Sequence, residues 1–146
     1  MLTVQFRKLA TPPSRKALIS LHQDAGWTVD PKEIDKLRKP APGFIWMAAV
    51  RQGNDAPVAL GRLQVAGSGV AFLSEFVVKK ELAGKGLGSA LLKFIESFCV
   101  GSKIERLALR PMPSTEAFYQ ARGFSADPVF PDVLMKILNA PGLASK

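Results

Sequence analysis

The sequence is poor in the residues that metal and disulfide chemistry require. Among its 146 residues, the only histidine is His22 and the only cysteine is Cys99. These two side chains can form neither a His/Cys zinc cluster nor an internal disulfide. A serine hydrolase triad would depend on His22 alone, and no G-x-S-x-G segment is present to carry the nucleophile. We therefore predict no bound metal, and either a diffusible cofactor that supplies the reactivity or a binding function alone.

Long apolar segments are also absent from the sequence. No run of about 18 apolar residues occurs, so we expect no membrane span and no membrane partner. The N-terminus lacks an apolar segment of signal-peptide length, and a single free thiol is typical of a reducing compartment. These observations predict a soluble, cytoplasmic protein.

Basic residues exceed acidic residues, and the excess is spread along the chain. The sequence has 20 Lys and Arg against 12 Asp and Glu, which gives a formal net charge of +8. The basic residues occur singly or in short pairs, which is typical of a solvated surface rather than of a concentrated nucleic-acid site. We therefore do not expect nucleic-acid binding, although the charge alone does not exclude it. The sequence also leaves a homodimer open.

The apolar pattern predicts a single domain over residues 1–138, followed by a tail at 139–146. Predicted strands cover 3–9, Phe44–Arg51, Pro57–Val65, Val70–Val78, 104–109 and 133–138. Predicted helices follow the capping residues Ser14 and Asp30, cover an amphipathic segment at 87–98, and cover 114–122. Turns at 52–55 and 66–69 separate the three central strands.

This order of elements predicts an α/β (α+β) fold. Its sheet is mixed and mostly antiparallel, has about six to seven strands, is flanked by helices, and contains at least one right-handed crossover between parallel strands. The segment Val70–Val78 is a nearly continuous apolar run. We therefore expect both faces of that strand to be buried.

A glycine-rich segment at 81–89 joins this strand to the amphipathic helix. A helix N-terminus presents unpaired backbone N–H groups and the positive end of the helix dipole. Gly84, Gly86 and Gly88 leave that backbone open to a polyanion, and Lys85 would add a positive charge. The spacing fits neither the Walker A nor the Rossmann phosphate loop. The segment predicts a diphosphate-binding loop, and its structural alternative is a turn that packs the helix closely against the strand.

Two motifs follow one another along the chain. The strand end Phe76-Val77-Val78 precedes Gly86-Leu87-Gly88, and the later segment 118–124 has the sequence F-Y-Q-A-R-G-F. Over residues 71–124 these motifs resemble those of the GNAT family of N-acetyltransferases. The resemblance implies the acyl-CoA N-acyltransferase (GNAT) architecture, with acetyl-CoA (coenzyme A as the co-substrate) and no metal.

The resemblance also implies which residues bind the cofactor. They are Phe76, Val77, Val78, Ala83, Gly84, Lys85, Gly86, Leu87, Gly88, Ser89 and Tyr119. The sequence departs from the family at Ala83, where Arg or Gln is usual, and at Lys80, where proline is frequent. We expect the first change to weaken cofactor binding without removing the backbone contacts, and Lys80 to compensate in part as a nearby cation.

Two residues are candidates for proton transfer. Tyr119 occupies the position that supplies a proton to the departing CoA thiolate in this family, and its alternative role is that of a core tyrosine. Glu75 is the only carboxylate inside the apolar run. Related members carry an acidic residue there, which implies that Glu75 deprotonates the amine directly or through water. Its alternative role is a structural ion pair with a basic neighbour such as Arg62 or Arg110.

Other distinctive side chains have simpler interpretations. His22 lies on a helix expected to flank the acceptor channel, where a surface imidazole is the simpler hypothesis. Cys99 has no matching histidine, so we predict an inert, buried thiol. Trp27, Phe44 and Trp46 either line an acceptor pocket or pack in the core.

The resemblance implies an acetyl-CoA-dependent N-acetyltransferase that acts on a primary amine of a small molecule by direct attack on the thioester. Two alternatives remain. The acceptor is a macromolecular amine of a protein or an aminoacyl-tRNA, or the domain binds acyl-CoA without catalysis. If coenzyme A is bound like an added strand, the backbone at 76–78 should be unpaired where it parts from the strand at 104–109.

Overall fold

A computed structural model describes residues 3–53, 56–67 and 69–138. The predicted turns at 52–55 and 66–69 lie partly outside these residues, because Asn54, Asp55 and Ser68 are not described. The predicted tail at 139–146 lies wholly outside them.

The described chain contains seven strands and four helices. In order they are β1 Val4–Lys8, α1 Arg15–Asp24, α2 Pro31–Leu37, β2 Phe44–Arg51, β3 Pro57–Val65, β4 Val70–Val78, α3 Leu87–Gly101, β5 Arg106–Leu109, α4 Glu116–Gln120, β6 Ser125–Ala126 and β7 Leu134–Ile137. A short 3-10 turn, Lys80–Leu82, precedes α3. No described helix is long and apolar enough to cross a membrane.

The strands form one sheet in the order β1-β2-β3-β4-β5-β7-β6. All neighbouring pairs are antiparallel except β4 and β5, which are parallel and are joined through α3. The predicted mixed, mostly antiparallel sheet flanked by helices is therefore confirmed. The sequence analysis missed β6, whose two residues are too short to show a pattern, and set the ends of the strands at 104–109 and 133–138 one or two residues too wide.

The helices cover the two faces of the sheet with separate cores. Leu91, Leu92 and Ile95 of α3 are almost fully buried against one face. Leu18 of α1 and Ile34 of α2 are buried on the other. Both of the latter helices begin as predicted, because the Ser14 and Asp30 side chains accept hydrogen bonds from the backbone N–H groups of Ala17 and Lys32.

A bulge at Glu75 changes which face of the sheet β4 packs against. Ser74 lies opposite Arg62 but Val77 lies opposite Leu60, so β4 contains one extra residue in this interval, and Glu75 has a φ of +51°. Leu73 therefore packs in the core beneath α3, whereas Val77 packs in the core beneath α1 and α2. Ala71 and Leu73 pack in the first core, whereas Phe76, Val77 and Val78 alternate between the two cores.

The prediction that both faces of β4 are buried is accordingly wrong. Phe72 is 44% exposed, and Ser74 is also exposed. Both faces are covered only beyond the bulge, where Phe76 and Val78 pack in the core beneath α3 and Val77 packs in the core beneath α1 and α2.

The parallel strands β4 and β5 separate beyond Leu73. Their pairing runs from Val70 opposite Arg106 to Leu73 opposite Leu109 and extends no further among the described residues. The residues from 75 to 78 are thus free of β5, as predicted for 76–78, and the opening between the strands leads toward the start of α3. The candidate site described below lies where the two strands separate.

Candidate active site

The segment before α3 has a backbone that only glycine adopts easily. Gly84 and Gly86 have φ values of +77° and +84°, and a Cβ built on either residue would meet no atom within 4 Å. Gly86 is the N-cap of α3, and no side chain there accepts from the first N–H groups of the helix. The N-terminus of α3 therefore presents its N–H groups and positive dipole end to open space.

Gly88 has a different role. A Cβ at this position would lie 3.3 Å from Val78 Cγ2 and 3.7 Å from Phe118 Cζ. Its missing side chain lets the first turn of α3 pack closely on β4 and α4. The interpretation of the segment as a turn for close packing thus applies to Gly88, whereas Gly84 and Gly86 border open space.

A cavity of about 740 Å³ lies between this segment, β4 and α4; we call it the loop cavity. Its lining includes Phe76, Val78, Ala83, Gly84, Gly86, Gly88, Ser89 and Tyr119, all of which the sequence predicted to bind cofactor. Three other predicted residues do not line it. Val77 and Leu87 are buried in the cores, and Lys85 is exposed outside the cavity.

Tyr119 is a buried phenol on the wall of the loop cavity. It is 7% exposed, and its ring makes edge contacts with Phe76, Phe118 and Phe124 at centroid distances of 6.2, 5.1 and 5.7 Å. Burial raises the pKa of Tyr119 to about 12, because the phenolate would lose hydration. The side chain is therefore a protonated donor at neutral pH.

Among the residues that the structure describes, Arg122 is the one cation that lines the loop cavity, and the sequence analysis did not single it out. Its Nε donates to Ser89 Oγ at 3.0 Å and one terminal nitrogen donates to the carbonyl of Phe118 at 2.7 Å. The guanidinium also stacks on the Phe118 ring at 3.9 Å. Arg122 thus fixes a positive charge beside the first turn of α3, in a cavity whose lining also contains Ala83.

A second cavity, of about 450 Å³, adjoins the loop cavity; we call it the acidic cavity. It lies between α1, α2 and β4, and it shares Trp27 and Met112 with the lining of the loop cavity. Its lining contains the carboxylates Asp30, Glu33 and Glu75, together with His22.

His22 is buried at the inner end of the acidic cavity. It is only 5% exposed, its Nε2 has no hydrogen-bond partner, and that atom lies 3.5 Å from Glu75 Oε1. Burial lowers the pKa of His22 more than the nearby Glu75 carboxylate raises it. The surface imidazole expected from the sequence is therefore wrong. His22 lies four residues after Leu18, which places both on the buried face of α1.

Glu75 faces His22 because of the bulge in β4. Its side chain is 26% exposed. Of the two basic neighbours suggested by the sequence, Arg110 pairs with Asp132 at 3.2 Å instead. Arg62 does interact electrostatically with Glu75, but its guanidinium stacks on Phe44 at 3.9 Å and its Nε has no hydrogen-bond partner.

The remaining candidates, apart from Trp27, lie outside these cavities. Cys99 is fully buried, and burial raises the pKa of its thiol to about 12, as expected for an unreactive residue. Trp46 is a core residue, and Phe44 supports Arg62. Only Trp27 of the three aromatic candidates lines both cavities. No group of three or more His, Cys, Asp or Glu side chains is placed to hold a metal in the described ranges.

Arg122 had a signal in the sequence. It lies four residues after Phe118 and three after Tyr119, so one face of the helix predicted at 114–122 would carry all three side chains. In the structure α4 ends at Gln120, and Arg122 lies in the turn that follows it. Met112 had none, because it comes after the end of β5 in a segment without periodicity.

Comparisons with known proteins give a family and a shared fold. The family model described as "Acetyltransferase (GNAT) family" matches residues 5–124. No curated protein matches the chain. A GNAT-family acetyltransferase from Staphylococcus aureus Mu50 superposes with a TM-score of 0.76 at 14% identity, over 94% of this chain and 100% of that one.

Two further solved structures are similar. The ribosomal-protein-S18-alanine N-acetyltransferase from Escherichia coli has a TM-score of 0.76 at 16% identity, over 97% of each chain. The PaiA N-acetyltransferase from Thermoplasma acidophilum, solved in complex with coenzyme A, has a TM-score of 0.69 at 16% identity, over 93% of this chain and 99% of that one. At these identities the structures establish a common fold.

Proposed function

Because the chain belongs to the GNAT family of acetyltransferases, we propose that it is an acetyl-CoA-dependent N-acetyltransferase that acts on a primary amine of a small molecule. The observation that carries the proposal is the junction of two cavities of opposite character. The loop cavity has the glycine backbone, the start of α3 and Arg122, whereas the acidic cavity has three carboxylates. They meet at Trp27 and Met112.

The residues of the loop cavity fit coenzyme A. The N–H groups at the start of α3 suit a diphosphate, and Arg122 supplies a cation on the wall where Ala83 cannot. Backbone groups of β4 beyond Leu73 are free of β5, so the pantetheine amides can pair with them as an added strand does. Lys85 does not line the cavity, so it contributes less to cofactor binding than its position in the motif implies.

When bound, acetyl-CoA supplies an acetyl group activated as a thioester. The amine must lose a proton before it attacks, because its ordinary pKa is about 10. We assign that proton to Glu75 Oε1, with His22 Nε2 beside it at 3.5 Å. His22 is neutral because burial lowers its pKa, so its imidazole can accept a hydrogen bond.

Tyr119 holds the proton that the leaving sulfur takes up. Its raised pKa keeps the hydroxyl protonated throughout the neutral range. The aromatic contacts with Phe76, Phe118 and Phe124 fix the ring and exclude water from it. A free N–H of the β4 edge suits the oxygen of the reacting carbonyl, where negative charge develops.

The acidic cavity supports a small acceptor over a macromolecular one. A space of about 450 Å³ accommodates a small amine, and three carboxylates on its lining repel a polyanion such as tRNA. The Escherichia coli neighbour acts, by its name, on a ribosomal protein. A protein amine is therefore the second candidate acceptor on the same fold.

A thiol-release assay with a panel of primary amines tests the proposed function. We expect release of coenzyme A only when both acetyl-CoA and an amine are present, with the acetylated amine identified by mass spectrometry. A ligand-induced rise in Tm without turnover on small amines or N-terminal peptides would instead indicate a non-catalytic acyl-CoA-binding domain.

The variant Glu75→Gln separates a proton acceptor from a structural carboxylate. If Glu75 takes the proton, the activity lost at neutral pH recovers as the pH approaches the pKa of the amine, because free amine then forms unaided. The higher pH should restore only the turnover of the variant. The rise in Tm that acetyl-CoA produces should be the same in Glu75→Gln as in the wild type. A loss of Tm at every pH without recovery of turnover would contradict this assignment.

A further inference from the structure

We infer that the acceptor is a primary amine that carries a second cationic group across an apolar spacer, as an aliphatic diamine does. This inference rests on the proposed N-acetyltransferase function and names its substrate class. It follows from the charges, the burial and the apolar lining of the acidic cavity.

The charge of the acidic cavity is opposite to that of the whole protein. The chain has a formal net charge of +8, yet Asp30, Glu33 and Glu75 line this cavity. No Lys or Arg of the described residues lines it, and Arg62 interacts with Glu75 from outside the lining. Lys36 pairs with Glu33 at 3.2 Å from outside the cavity, with both side chains more than half exposed. Such an exposed pair is weak and exchanges readily for another cation.

A buried nitrogen in the same cavity points independently to a ligand. His22 Nε2 has no hydrogen-bond partner although the side chain is only 6% exposed. An unpaired buried polar atom destabilises the folded state, so native structures rarely contain one without a function. An amine entering the acidic cavity would meet this nitrogen and the Glu75 carboxylate together.

The carboxylates differ in depth, and this difference sets the shape of the acceptor. Glu75 lies at the inner end beside buried His22, whereas Asp30 and Glu33 are exposed at the start of α2. Gly26, Thr28 and five apolar side chains form the rest of the lining; the apolar ones are Trp27, Val29, Ile34, Leu37 and Met112. One ammonium group therefore suits the inner end, a second suits the rim, and methylene groups suit the surface between them.

The test compares three five-carbon amines that differ only at the far end. Cadaverine ends in an ammonium group, pentylamine in a methyl group and 5-aminopentanoate in a carboxylate. We expect kcat/KM to fall in that order, by at least about tenfold from the first to the last, because like charges repel at the rim. The difference between cadaverine and pentylamine should shrink as salt is added.

Variants at the rim locate this selectivity. In Asp30→Asn/Glu33→Gln the helix cap is kept, because asparagine also caps well, but both charges are removed. We expect the cadaverine-to-pentylamine ratio of kcat/KM to fall by about threefold or more, mainly through the KM for cadaverine. The matched control is Asp35→Asn, also on α2, which pairs with Arg15 at 3.1 Å and does not line the cavity. It should keep the wild-type ratio.

The outcomes distinguish this inference from the function on which it rests. Equal turnover of the three amines, a preference for 5-aminopentanoate, or an unchanged ratio in the double variant would overturn the inference and leave an N-acetyltransferase. No acetylation of any amine by a protein that binds acetyl-CoA would overturn the proposed function, and the inference with it.

Discussion

Replacing Gly86 by aspartate tests whether the start of α3 binds the cofactor diphosphate. The residue has a φ of +84° and open space where its Cβ would lie, so the substitution introduces backbone strain and a negative charge without a clash. Left-handed backbone costs a non-glycine residue about 1–2 kcal/mol, and an acidic group at a helix N-terminus returns about 0.3–1 kcal/mol. The net loss of about 1 kcal/mol corresponds to a Tm lower by roughly 2–4 °C in a chain of this length.

The effect on ligand binding should be much larger. A ligand at about 100 times its Kd stabilises the native state by about 2.7 kcal/mol, which raises Tm by roughly 5–11 °C in the wild-type protein. Two like charges about 4 Å apart repel by between about 1 kcal/mol in water and about 4 kcal/mol near a protein surface. A cost of about 2.7 kcal/mol lies within that range, lowers the affinity about 100-fold and removes most of the rise.

The assay is a thermal melt with and without acetyl-CoA, and Gly53→Asp is the matched control. Gly53 has a φ of +82°, similar open space and a position at the end of β2, away from both cavities. Both variants should lose a similar amount of Tm, but only Gly86→Asp should lose the rise with acetyl-CoA. A full rise in a folded Gly86→Asp protein would place the cofactor elsewhere and refute the assignment of this loop.

Three further predictions concern single titratable side chains. Tyr119→Phe should keep the rise in Tm with acetyl-CoA but lower kcat by roughly 100-fold. The loss should be no larger than this, because a thiolate leaves fairly well without a proton donor. Unchanged turnover on a confirmed acceptor would rule out Tyr119 as the proton donor. The native pKa of His22 is lowered, so below pH 6.5 the unfolded chain binds a proton that the native state does not. The free energy of unfolding should therefore fall as the pH decreases through this range, and by less in His22→Gln; an equal slope in both proteins would contradict the assignment. Cys99, with a thiol pKa near 12, should react with iodoacetamide only after denaturation, and rapid labelling of native protein would show that the site opens.

The local pattern of the sequence was sufficient to predict most strands of the sheet. The bounds of β2, β3 and β4 were predicted correctly, because apolar runs with glycine-containing turns on either side fix the strand ends. The loop before α3 was also identified, since Gly84 and Gly86 occur where a helix must begin. In both cases the signal lies within a few neighbouring residues.

The predictions failed where a single residue changes which side chains, distant in the sequence, pack against each other. The bulge at Glu75 moves the following residues of β4 to the opposite face, and periodicity counted along the strand does not reveal an extra residue relative to β3. The proximity of His22 to Glu75 has the same origin, because it depends on that bulge and on the packing of α1 over the sheet. Contacts between side chains of two different elements are therefore visible only once the fold is built.

A structure of the protein bound to coenzyme A tests the central claim most directly. We expect the diphosphate to accept hydrogen bonds from the N–H groups at the start of α3, with the Arg122 guanidinium close by. The pantetheine should pair with β4 beyond Leu73, and the sulfur should lie near the Tyr119 hydroxyl where the two cavities meet. Coenzyme A bound outside the loop cavity, or a sulfur distant from both Tyr119 and Glu75, would contradict the proposed active site.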